Sequence, residues 1–187
     1  MMTKSQNGVK VINFPDYPKF RPNLTPRQIF EFGSFGGTYW RPIHSSVTGQ
    51  EHVNCHLVYP KKWWQNIPDF MLKNTTENYS IAVNKYKVKV GTSLEFWQHK
   101  NWIKKIDPRG WVQWYCSFYS GRRSHDDARQ IKRWCSIAGP RGRFRRMLIN
   151  MIRAKSKNPF DFTISPKIRQ TLQHWGYALT RKDFEMS

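Results

Sequence analysis

Carboxylates are scarce in this 187-residue chain: 12 Asp and Glu stand against 32 Lys and Arg, a formal net charge of +20. A two-metal hydrolase needs several convergent carboxylates, and those present are scattered along the chain. Cysteine is scarce as well. Cys55, Cys116 and Cys135 are odd in number and none lies in a CxxC pair. That pattern argues against a disulfide scaffold or a zinc knuckle and makes a reducing compartment, cytoplasm or nucleus, the expectation. No run approaches about 18 apolar residues, so no membrane span is expected. No apolar signal core follows the start. Met1-Met2-Thr3-Lys4 lacks a myristoylation glycine, and Asp183-Phe184-Glu185-Met186-Ser187 lacks a prenylation cysteine. A membrane partner is therefore not expected. Walker loop, dinucleotide fingerprint and GxSxG elbow are also missing, and no cofactor is expected.

What the chain does have is aromatic residues: nine Trp, eight Tyr and twelve Phe. Each buried ring removes roughly 150–250 Å² from water, enough to build a core without much Leu or Val. A disordered basic arm would carry few such residues. The length suits one domain with a small appendage. A charge of this size costs self-repulsion on folding, which a polyanionic partner would offset. Duplex DNA carries one negative charge per roughly 1.7 Å of axis, and a strongly basic protein is its usual counterpart. Basicity for solubility alone is the plainer account, but it invites nucleic-acid binding in any case.

Local signals give an α+β chain, mostly helical: a C-terminal helical bundle with a smaller mixed N-terminal part. Residues 1–22, with three prolines, read as an extended arm. Residues 23–187 read as one basic domain with the bundle over about 93–180. Thr25-Pro26-Arg27-Gln28 is a helix start, with Pro in the first turn, and Gly33 is its stop. Gly33-Ser34-Phe35-Gly36-Gly37-Thr38-Tyr39-Trp40-Arg41-Pro42 predicts a tight turn against the core or a close approach to a ligand. Residues 43–59 alternate loosely, as strands do. Pro60 to Lys73 reads as short helices broken by Pro68. Tyr86 to Val90 alternates apolar residues with Lys and predicts a half-buried strand. Ser93 caps a helix through Phe96 and Trp97. Trp111, Trp114, Tyr115 and Phe118 fall at helical spacing, and Gly121 ends that helix. Ser124 with Asp127 caps another, which carries Ala128, Ile131, Trp134, Cys135 and Ala138 on one face. Phe144, Met147, Leu148, Met151 and Ile152 mark the next. Ser165-Pro166 opens the last, with Ile168, Leu172, Trp175 and Leu179.

The charge concentrates in one block. Between Trp102 and Lys155 stand 14 Lys and Arg against Asp107, Asp126 and Asp127. The binding candidates are Arg109, Arg122, Arg123, Arg129, Lys132, Arg133, Arg141, Arg143, Arg145 and Arg146. Arg122 and Arg123 precede a helix N-terminus, where free N–H groups suit a phosphate. Arg141, Arg143, Arg145 and Arg146 crowd the next helix start, where cations oppose the dipole; a phosphate there would relieve that conflict. The two helices joined by Ala138-Gly139-Pro140-Arg141-Gly142 read as a candidate helix-turn-helix with the second in a major groove. For any single arginine, a solvated helix face is the simpler account. Tyr39, Trp40, Trp114 and Tyr119 are candidates for base stacking, worth roughly 1–3 kcal/mol per base in single-stranded binders, although a Trp at helical spacing more often belongs to a core.

Asp126 and Asp127, with His125, are the catalytic candidates. A nuclease would use such carboxylates for Mg²⁺, and a base-flipping enzyme would need one carboxylate and aromatic walls. Aspartates in a first helical turn also cap it and complement its dipole, and that explanation suffices. His52 and His56, spaced four apart around Cys55, would share a zinc only on a helix and with a third ligand; neither is evident, so no metal is expected.

Two stretches carry a resemblance. One is Phe32 to Pro42. The other runs from Asp107-Pro108-Arg109-Gly110-Trp111 through Gln113-Trp114-Tyr115, Gly121-Arg122-Arg123, Asp126-Asp127 and Arg129 to Trp134, ending at Gly142-Arg143. Together they resemble a family of uncharacterised proteins of plants, fungi, and large DNA viruses or phages. The resemblance implies that the basic block is a shared working surface and favours DNA over RNA; it carries no functional residues with it. The expectation is an intracellular nucleic-acid-binding protein acting on DNA through phosphate contacts over 109–146. The rivals are a DNA-acting enzyme using Asp126 or Asp127, and a protein that condenses or packages DNA.

Overall fold

The computed structural model describes residues 3–4 and 10–187, with side chains from residue 12 onward. The fold is α+β and mostly helical. Among the described residues the elements are, in chain order, β1 (Thr3–Lys4), β2 (Lys10–Val11), α1 (Pro26–Glu31), β3 (Ile43–Ser45), β4 (Gln50–His52), α2 (Leu94–His99), α3 (Trp111–Tyr119), α4 (Asp127–Ile137), α5 (Arg143–Ala154), α6 (Pro166–His174) and α7 (Arg181–Glu185). The strands form two separate antiparallel pairs, β1 with β2 and β3 with β4. The chain forms two compact units: a terminal unit, Met1–Thr25 with Ser124–Ser187, and a central unit, Pro26–Arg123.

The central unit is built on aromatic rings. Phe30 of α1 meets Tyr39, Trp40 and Trp64 with ring centroids 5.5–5.8 Å apart. Trp114, Tyr115 and Phe118 of α3 are buried, and α3 packs on α1. Aromatic pairs contribute about 0.5–1.5 kcal/mol each beyond the area they bury. The glycine-rich segment serves the chain itself. At Gly33 (φ +91°) a Cβ would lie 1.8 Å from the Val83 carbonyl oxygen, and at Gly37 (φ +81°) 2.0 Å from that of Phe70. Residues 70–85 are stitched onto this turn by backbone bonds from Asn74 N to Gly37 O, Ser80 N to Gly36 O and Lys85 N to Gly33 O, each 2.9–3.0 Å long. Of the two readings of the motif, the tight turn against the core is the one observed.

The strand predicted over Tyr86 to Val90 does not form; residues 81–87 are turns and bends, and 88–90 have no regular structure. Buried Asn84 prevents it. Its Oδ1 accepts from Gly36 N (2.8 Å), and its Nδ2 donates to Tyr79 Oη (2.9 Å) and Val88 O (2.7 Å). Lys87 stands at φ +55°, outside the β region. A side chain that satisfies both flanks of its own loop replaces the ladder that a strand would need.

The terminal unit closes the two ends of its chain on each other. Asn23 Nδ2 donates to Ala178 O, and Ala178 N donates to Asn23 Oδ1, both at 2.8 Å. The N-terminal segment read as an arm contributes Ile12, Phe14 and Phe20 to the buried core. Phe20 stacks on Phe14 at 5.3 Å and meets the Trp134 edge at 5.2 Å. Helix α5 packs against both α4 and α6. Its buried side is Arg145, Leu148, Ile149 and Ile152. Met147 and Met151, expected on that stripe, are exposed at 50% and 38%. Ser165 does not cap α6 with its side chain; Pro166 begins that helix.

Candidate nucleic-acid interface

The arginines of the basic block have different partners in the two units. In the central unit they are internal ties. Arg109 is 2% exposed. Its Nη1 donates to Tyr39 O (2.8 Å) and its Nη2 to His52 O (2.9 Å). Tyr39 Oη returns a bond to Arg109 O (2.9 Å) and accepts from Gln113 N (2.8 Å). Gln113 Oε1 accepts from Arg109 N at 2.9 Å. The guanidinium lies 5.7 Å from the Trp40 ring. The Asp-Pro-Arg-Gly-Trp-Val-Gln run is thus a knot that ties β4 and the glycine turn to the start of α3. Gly110 suits this place because its backbone stands at φ +80°, ψ −147°, a region essentially confined to glycine. Arg122 pairs with buried Asp107 at 2.5 Å. Arg123 lies over the Phe118 ring at 3.9 Å and donates to Phe118 O at 3.0 Å.

The stacking candidates are corrected by burial. Tyr39, Trp40 and Trp114 are 7%, 1% and 0% exposed; a ring without an open face offers no platform for a base. Burial, first, pushes the Tyr39 hydroxyl far above its ordinary pKa. Only Tyr119 keeps partial exposure, with one edge against Trp63 at 5.7 Å. His52 bonds Thr48 through Nε2 at 2.8 Å, while His56 is buried beside Trp40 and Trp64 in a short turn. Among the described residues no group of three His, Cys, Asp or Glu is placed to hold a metal ion.

The acids beside α4 already have structural partners. Asp127 accepts from Ser124 N and Ser124 Oγ, both at 2.8 Å; the two expected residues thus meet, but the cap position of α4 is Asp126, whose side chain makes no capping bond. Asp126, 4% exposed, grips Arg129 with both oxygens, 2.5 Å to Nε and 2.7 Å to Nη2, and accepts from Gln130 Nε2 at 3.0 Å. Burial works to raise this carboxyl's pKa, but the Arg129 bonds and charge, with Gln130 and His125, outweigh it and hold the group below the ordinary aspartate value. To coordinate Mg²⁺, either aspartate would have to abandon these partners. His125 is exposed and acts on Asp126 through its charge. Gln130 Oε1 accepts from Arg133 Nη1 at 2.9 Å, and the Arg133 guanidinium lies 5.4 Å from the Trp175 ring. Burial lowers the Arg133 pKa.

At α5 the arginines divide within one turn. Arg145 points inward, pairs with Asp183 at 2.7 Å and covers the Tyr177 ring at 5.0 Å. Tyr177 Oη donates to the same Asp183 at 2.7 Å. Arg141, Arg143 and Arg146 are exposed, as is Lys132 on α4. Among the described residues no carboxylate pairs with any of these four. Helix α5 begins at Arg143, and Gly142 before it supplies no side-chain cap, so no side chain satisfies its first N–H groups at an end that carries three exposed cations. A phosphate would meet both. The terminal unit carries 18 Lys and Arg against six Asp and Glu, a net +12 of the total +20. Two further exposed residues of α5 share this surface: Met147, expected on the buried stripe, and Asn150, not singled out before. Their signal was the i, i+4, i+7 spacing from Arg143.

No helix among the described residues is long and apolar enough to cross a membrane. No protein-family model, curated protein or solved structure matches the chain.

Proposed function

We propose that the protein binds nucleic acid, and DNA in particular, through the exposed cations of the terminal unit: Lys132, Arg141, Arg143 and Arg146. The observation that carries this reading is that, among the described residues, these four lack carboxylate partners while Asp126 and Asp183 are engaged with Arg129 and Arg145. Cations crowded at the start of α5 oppose its dipole and weaken the isolated helix. Phosphates at that helix start offset both costs. Affinity then arises mainly from release of counterions. Four phosphate contacts give a slope of about −3 to −4 in log affinity against log salt on a duplex. The central unit's arginines, tied to its own carbonyls, an acid and a ring, add little to that slope.

The test is fluorescence anisotropy with matched single- and double-stranded oligonucleotides over a range of salt. Binding with this slope supports the reading. An absence of binding at low salt rejects it.

A further inference from the structure

We propose that α5 is a base-reading helix whose outward face enters the major groove of duplex DNA; this rests on the nucleic-acid reading above. At about 100° per residue, Arg143, Met147, Asn150 and Ala154 fall within a sector of about 60°, with Arg146 at its edge. All five are exposed. The opposite side, Arg145, Leu148, Ile149 and Ile152, is buried against the unit's core, and α4 and α6 hold the helix there. The reversal from α4 into α5 is tight. A Cβ at Gly139 would lie 2.6 Å from Cys135 O, and one at Gly142 2.6 Å from Ile137 O. A short glycine-containing turn between two packed helices is the frame of a helix-turn-helix. Twelve residues make a rod of about 18 Å, and a major groove about 12 Å wide and 8.5 Å deep accepts a helix.

The chemistry of the face suits base edges better than phosphates alone. An Arg fork matches guanine O6 and N7, an Asn amide matches adenine N6 and N7, and an apolar side chain contacts the thymine methyl. Asn150 and half-exposed Met147 contribute nothing to binding phosphates by charge, and no hydrogen bond is made by the Asn150 side chain among the described residues. Arg143 and Asn150 are seven residues apart, about 10.5 Å along the helix, or about three steps of 3.4 Å along a strand. The expected target therefore contains a guanine and an adenine about three base pairs apart.

The experiment is selection of the full-length protein on a randomised DNA duplex pool. Relative affinities for the enriched duplex, and for the same duplex with its A·T pair changed to G·C, are then measured for the wild type and for Asn150→Ala. Circular dichroism verifies that the variant is folded. The expected result is an enriched guanine–adenine pattern and wild-type discrimination of about 5- to 150-fold at the adenine, which collapses toward unity in Asn150→Ala. Duplex binding without any enriched pattern overturns the base-reading helix and leaves the phosphate reading standing. A pattern that Asn150→Ala still discriminates also overturns it. A failure to bind any nucleic acid overturns both.

Discussion

Arg109 and Arg143 come from one basic block of the sequence and occupy opposite environments. Arg109, in the central unit, is 2% exposed and grips the carbonyls of Tyr39 and His52. Arg143, in the terminal unit, is exposed, and its guanidinium lies over the ring of Phe144, at 4.6 Å. The same contrast recurs two residues apart in α5, where Arg145 is enclosed and Arg143 is free. Cationic density along a sequence thus mixes two uses of one side chain. A guanidinium has five donors in a rigid fork, which makes it as useful for binding a protein's own carbonyls and carboxylates as for binding a phosphate. What separates the uses is the supply of internal acceptors.

The largest effect that can test this contrast is at Arg109. Replacement with Ala leaves two buried carbonyls without their donor, each such charge-assisted bond being worth about 1.5–3 kcal/mol. We expect a loss of about 3–5 kcal/mol in urea denaturation. A loss below about 1 kcal/mol would mean that Arg109 is no knot. Arg145→Ala follows. It leaves Asp183 and Tyr177 partly buried without the cation; removing one partner of a fully buried pair costs about 3–5 kcal/mol, and the partial exposure of Asp183, 28%, reduces that to about 2–4 kcal/mol. Next comes Asp126→Asn, which removes the bidentate grip on Arg129 and should cost about 1–3 kcal/mol. Because its folded pKa is lowered, the stability it contributes is present above its unfolded value of about 3.9 and disappears as pH falls through the lower folded one. Arg143→Ala and Arg146→Ala stand at the small end for stability. Each should leave the unfolding midpoint unchanged while flattening the salt slope of duplex binding by about 0.9.

A pH titration probes the terminal unit separately. His174 is buried, and desolvation pushes it down to about 3. The unfolded chain protonates this ring near pH 6.5 while the folded chain does not, so its contribution is complete above about 6.5 and falls as pH drops toward 3. The expected slope from this group is about 1.4 kcal/mol per pH unit in that window. A flat stability profile between pH 6 and 4.5 would show that the ring takes up its proton in the folded state.

The helices were legible because each carries both a pattern and a boundary. Pro26, Ser93 and Pro166 mark observed starts, Ser124 with Asp127 lies in the turn leading into α4, whose cap position is Asp126, and the aromatic spacing of α3 was sufficient by itself; the last predicted helix ends at His174, short of Leu179, and α7 was not read. The lost strand at 86–90 shows the limit. Alternation there is real, but a single asparagine 48 residues from Gly36 decides the backbone, and no local window contains both. The candidate site was legible as charge and illegible as geometry for a similar reason. Arg143, Arg145 and Arg146 look alike in sequence, and only the distant Asp183 distinguishes the second. The aromatic candidates Tyr39, Trp40 and Trp114 went inside for the simplest reason, the area they bury, whereas Asn150 was missed because its one signal, the i+7 spacing from Arg143, does not by itself say which side of the helix is exposed.

The clasp between Asn23 and residues 176–178 has a consequence for how the molecule is made. Its partners lie up to 155 residues apart. At translation rates of about 5–20 residues per second, residues 12–25 wait on the order of 10–30 seconds for the other half of their unit. In that interval the whole central unit emerges and has the time to fold. Phe14 and Phe20, which end up against each other and Trp134, spend the wait without that tryptophan. The nascent chain therefore presents a short, aromatic, adhesive segment to the ribosome surface and to chaperones until Trp134 and then Ala178 arrive.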